Sequence, residues 1–62
     1  MEHIALRHAM GTLPEQEKQV ILLRYYRCMT QMQCARVLGV SQVQISRLER
    51  RAITRLRAEL LE

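Results

Sequence analysis

The chain has 62 residues, with ten Lys and Arg against six Asp and Glu, for a net charge of +4. A chain of this size buries only about 60% of its unfolded surface, which points to one small domain and argues against a large catalytic cleft. No apolar run approaches the roughly 18 residues of a membrane span, and Met1 leads into a stretch with charges interspersed, which is not a signal peptide.

Four helices are expected, over about 2–10, 13–27, 31–38 and 42–61. The first ends at Gly11. The second follows Thr12-Leu-Pro-Glu15, with Pro14 in its first turn, where proline is tolerated. Its apolar positions are Val20, Ile21, Leu23 and Tyr25, while Leu22 and Tyr26 fall off that phase. The third starts at Thr30-Gln-Met-Gln33, places Met32 outward and stops at Gly39. The fourth starts at Ser41-Gln-Val-Gln44 and carries a stripe of Ile45, Leu48, Ala52, Ile53, Leu56 and Leu60. Its other face holds, in part, Arg47, Arg50, Arg51, Arg55 and Arg57, with Glu49 and Glu59 among them. All three starts read Ser/Thr-x-x-Glu/Gln, the spacing of a capping box. The fold class expected is all-α.

The third and fourth helices are joined by Leu38-Gly39-Val40-Ser41. A short helix, a turn containing glycine and a second helix form the helix-turn-helix pattern, here over about 31–50. The residue types fit it position by position. Ala35 is small where the helices cross, and Gly39 supplies a positive φ cheaply. Val40 plugs the turn, with Cys34 and Leu38 facing Ile45 and Leu48.

In such a unit the start of the second helix meets base edges in the major groove. The residues there are Gln42, Val43, Gln44, Ser46 and Arg47. Gln pairs with adenine, Arg with guanine, and an apolar side chain meets the thymine methyl. Val43 lies about 160° around the helix from Ile45, so it is expected outside and base-facing. Gln44 stays open between capping Ser41 and touching DNA. Arg50 and Arg51, further along, suit the phosphate backbone, and nine of the ten basic residues are Arg, the better phosphate ligand. Arg55 and Arg57 are read as solvated or facing a protein.

No Ser-His-Asp, Cys-His or paired-carboxylate arrangement is present, and the chain has no Asp, so no enzymatic activity, small-molecule substrate or cofactor is expected. His3 and His8, or Cys28 and Cys34, lack zinc-site spacing, so no metal is expected. The two cysteines read as reduced thiols of a cytoplasmic protein.

The segments LPEQEKQVILLRYY and TQMQCARVLGVSQVQISRLERRAITRLR together resemble region 4 of the bacterial sigma factors, across about residues 13–57. The matching frame is Leu13, Pro14, Val20, Leu23, Arg24, Tyr25, Thr30, Leu38 to Ser41, Glu49, Ala52, Leu56 and Arg57. SQVQISRLE is similar to the forespore sporulation sigma factors, sigma F before sigma G. The resemblance implies a single region 4 domain over 1–62, the C-terminal piece of a longer sigma factor. It implies binding to the promoter minus-35 element, docking on the β flap of RNA polymerase, and an anti-sigma partner in the forespore. It assigns base reading to Gln42, Val43, Ser46 and Arg47, and phosphate contacts to Arg24, Thr30 and Gln31, with Gln44 near both. Housekeeping members carry Arg-Glu-Arg where this chain has Gln42-Val43-Gln44, so a different hexamer is expected. Two other readings of the residues remain. One is the output domain of a LuxR-type regulator. The other is a protein-interaction module that docks on polymerase or an anti-sigma factor.

Overall fold

The computed structural model describes residues 10–61, with side chains over 10–60. The helix expected over 2–10 lies outside the described residues apart from its end. Met10 and Gly11 have helical backbone, and the chain turns at Thr12. Three helices follow: α1 (Glu15–Ile21), extended by a π-helical turn (Leu22–Tyr26), α2 (Gln31–Leu38) and α3 (Gln42–Leu61). The described residues contain no strand, in accord with an all-α helix-turn-helix class.

The three starts that look alike in sequence cap in three ways. At α2 the full box forms: the Gln33 amide donates to Thr30 Oγ1 at 3.1 Å, and the Thr30 amide donates to Gln33 Oε1 at 2.8 Å. At α3 the Gln44 amide donates to Ser41 Oγ at 3.1 Å, but no return bond from Gln44 is seen. At α1 the start lies two residues further on than the Thr12 pattern implies. Pro14 is itself the N-cap, at φ −55° and ψ 150°, without a side-chain cap. Proline pushes the residue before it out of the helical region, so the helix cannot start at Leu13.

Gly39 closes α2 at φ 71°, the left-handed position that the turn requires. A Cβ built there meets nothing within 4 Å, so the constraint is on backbone conformation alone. The π turn ends likewise at Cys28, a non-glycine residue at φ 55°. Arg27 N donates to Leu22 O and Met29 N to Leu23 O across that end.

Two apolar clusters hold the helices together. Val20, Cys34, Ala35, Ile45 and Leu48 make the first, with Leu23, Met29, Leu38 and Val40 packed on it. It is the core of the helix-turn-helix. Met10, Leu13, Ile21 and Ala52 make the second, bordered by Ile53 and Leu56. Each fully buried aliphatic side chain here contributes about 1.5–3 kcal/mol. Two stripe positions differ from expectation. Tyr25 is exposed, with its hydroxyl on a polar partner, and Leu60 is 46% exposed. Arg55 is not simply solvated: its Nε lies 3.0 Å from Oε1 of buried Glu17, pinning α3 to α1.

Candidate nucleic-acid interface

The cap at Ser41 and the turn at Gly39 set the phase of α3. Ile45, Leu48 and Ala52 go inward. Gln42, Val43, Gln44, Arg47, Arg50 and Arg51 are therefore exposed, and Ser46 is half-buried between the two faces. Val43 is 61% exposed, an apolar side chain in water beside two arginines. Gln31, the first residue of α2, joins Gln42, Val43, Ser46, Arg47 and Arg50 along one open furrow. Two helix starts thus meet in it, each offering free amides and partial positive charge to an anion. The furrow continues along α3 past Ser46, Glu49, Arg50, Thr54 and Arg57.

The wall of this furrow hides an acid. Glu49 is 7% exposed, and its carboxylate accepts three hydrogen bonds. Arg24 Nε donates to Oε1 at 3.1 Å, Gln31 Nε2 to Oε1 at 2.9 Å, and the Tyr25 hydroxyl to Oε2 at 2.7 Å. Arg24 also donates from Nη1 to Met29 O at 2.7 Å, and its guanidinium carbon lies 5.8 Å from the Tyr25 ring centroid. One carboxylate on α3 thus gathers the π turn, the loop behind it and the start of α2. Burial alone would raise the Glu49 pKa. The hydrogen bonds from Gln31, Tyr25 and Arg24, with the charge of Arg24, outweigh it and hold the pKa below the ordinary carboxylate value. The same bond to Glu49 pushes the Tyr25 hydroxyl up, with burial adding to it. Burial likewise raises the Cys34 thiol.

A second, apolar furrow runs over Leu22, Leu23, Tyr26, Val37 and Leu38, edged by Gln19 and Arg27. It shares no lining residue with the polar one. Tyr26 and Val37 are 65% and 58% exposed there, so the off-phase residues of the π turn do cluster. Met32 is exposed but does not line this furrow.

Of the residues singled out in the sequence, the structure brings together Gln31, Gln42, Val43, Ser46, Arg47 and Arg50. Gln44 and Arg51 are exposed on α3 but do not line the furrow. Thr30 Oγ1 accepts the α2 cap bond and keeps its hydroxyl proton to donate. Arg24 commits two of its nitrogens inside the fold. The Glu49 hub was missed, though a signal existed. Glu49 falls four residues after Ile45 and three before Ala52, on the buried phase of the stripe. No helix among the described residues is long and apolar enough to cross a membrane.

Comparison with known proteins places the chain in a family. The model of "Sigma-70, region 4" matches residues 9–58. The RNA polymerase sigma-F factor of Bacillus subtilis is 42% identical over 59 residues, covering 95% of this chain and 23% of that protein. The sigma-F factor of Kitasatospora aureofaciens is 49% identical over 59 residues, covering 94% of this chain and 20% of its own length. The sigma factor SigF of Mycobacterium tuberculosis is 44% identical over 55 residues, covering 89% and 21%. The chain therefore spans about a fifth to a quarter of the length of these relatives.

Proposed function

The chain belongs to the sigma-70 region 4 family, and on that premise we propose that it binds promoter DNA as the minus-35-reading domain of an RNA polymerase sigma factor. One observation carries the reading: Gln31, Gln42, Val43, Ser46, Arg47 and Arg50 share a furrow where two helices begin. Gln42 and Arg47 suit adenine and guanine edges, Val43 a thymine methyl, and Ser46 either kind of base. Thr30, Gln44, Arg50 and Arg51 hold the phosphates on either side, and Gln31, a phosphate contact by resemblance, lines the furrow beside the base-reading residues. Arg24, a phosphate contact by resemblance, stands beside these residues tied to Glu49 and Met29 O. The domain positions polymerase and performs no catalytic step of its own. It works in the cytoplasm, in the forespore compartment that the resemblance of its recognition helix implies.

The apolar furrow over Leu22, Tyr26 and Val37 supports a second contact, to protein. We assign it to the β flap of RNA polymerase, with an anti-sigma factor as the competing occupant. The test of the DNA reading is a salt titration of the 62-residue chain on a promoter duplex. Log affinity should fall linearly with log salt, by about 0.9 per phosphate contact. A flat profile would mean that the basic face of α3 does not meet DNA.

A further inference from the structure

Glu49 is an acid in the wall of a surface built for a polyanion. It lines the continuation of the furrow along α3 and reaches the end at Gln42 and Val43 only through other residues. Gln31 Nε2 donates to it, and a carboxylate only accepts, so the Gln31 amide is held with its nitrogen inward and Oε1 as its open end. Arg24 Nε donates to the same oxygen, and Arg24 Nη1 is tied to Met29 O, so this cation is largely withheld from phosphates. The Tyr25 hydroxyl locks the other carboxylate oxygen. Resting on the DNA-binding reading above, we propose that Glu49 is a positioning residue for base discrimination: it orients the Gln31 amide beside Gln42 and Ser46, and it restrains Arg24, so that the interface selects sequence instead of gripping any duplex. Phosphate contacts raise affinity for every sequence alike, whereas oriented donors and acceptors separate one base pair from another. Releasing Arg24 adds the first kind of contact, and releasing Gln31 removes the second.

The experiment uses the 62-residue chain and two duplexes. One is the sequence that the wild type selects from a pool randomised over the minus-35 hexamer, and the other has a random sequence. Glu49→Gln keeps the size of the side chain and removes its charge. It should bind the random duplex more tightly, with a salt slope steeper by about 0.9 for one added phosphate contact. Its preference for the selected duplex should fall about tenfold, the scale of one base contact. Gln31→Leu leaves Glu49 with Arg24 and Tyr25, so it should lose a similar preference with the salt slope unchanged. The double variant should lose no more preference than Gln31→Leu alone. Melting curves establish that each variant is folded, and Gln31→Leu decides the matter if Glu49→Gln does not fold. If the wild type selects a sequence but the folded variants keep its preference and slope, the role of Glu49 is overturned while the DNA reading stands. If the wild type selects nothing, the DNA reading fails and takes this role with it.

Discussion

The two faces of α3 differ in a way that hydrophobicity does not describe. The inner face holds Ile45, Leu48 and Ala52, but also the acid Glu49. The outer face holds Gln42, Arg47, Arg50 and Arg51, but also the apolar Val43. Each face has one residue that its average character would reject. Glu49 is tolerated inside because Arg24, Tyr25 and Gln31 satisfy it. Val43 is held outside because Ile45 fixes the phase of the helix, and a base with a methyl group suits it. Position around the helix, and not residue class, separates the part that folds from the part proposed to read bases.

Substitutions on the two faces should therefore move different measurements. The largest effect belongs to the inner face. Ile45→Ala removes a fully buried side chain at the centre of the helix-turn-helix and should cost about 2–5 kcal/mol in denaturant unfolding. The fraction that stays folded should keep its sequence preference. Arg47→Ala is the outer counterpart. It should leave the melting curve unchanged, weaken binding to the selected duplex by about 1–3 kcal/mol and relax choice at one base pair. A drop in melting temperature for Arg47→Ala, or a changed preference for Ile45→Ala, would erase the distinction between the faces. Gly39→Ala tests the turn that sets the phase. With no atom in the way, only the left-handed backbone resists it, and the loss of stability should be about 1–2 kcal/mol.

The smallest effect concerns the acid on the inner face. Its folded pKa lies below the unfolded value of about 4.3. Its stabilisation is thus present above the unfolded pKa and is lost as pH falls through the folded one. The stability gap between wild type and Glu49→Gln, read from denaturant midpoints, should narrow as pH drops from 6 towards 3. A gap that stays constant would mean that the Glu49 charge does not support the fold.

Much of this arrangement can be read from residue types. Gly39, the Thr30 box and the spacing of Ile45, Leu48 and Ala52 are local signals, and each forms as the spacing implies. What escapes is non-local or competes with a stronger rule. The Thr12 pattern yields to Pro14, whose constraint on Leu13 outranks a cap. Tyr25 reads as apolar until its hydroxyl finds Glu49, 24 residues away. The phase of Glu49 marks it as inward-facing, but nothing beside it in sequence announces Arg24 or Gln31 as partners. The pairing of Arg55 with buried Glu17 is hidden for the same reason. The π turn that brings Arg24 and Tyr25 to one carboxylate has no marker in Leu22–Tyr26 itself. At the furrow, the residues of α3 follow from helix phase, whereas the inclusion of Gln31 needed the packing of α2 against α3.

The central claim is that the outward face of α3 reads bases while the apolar residues of its inward face fold the domain. Selection from duplexes randomised over the minus-35 hexamer tests it most directly, run in parallel for the wild type and Arg47→Ala. The wild type should enrich one hexamer, and the variant should enrich the same hexamer with a single position relaxed. Identical enrichment by both proteins, or no enrichment by the wild type, would contradict it.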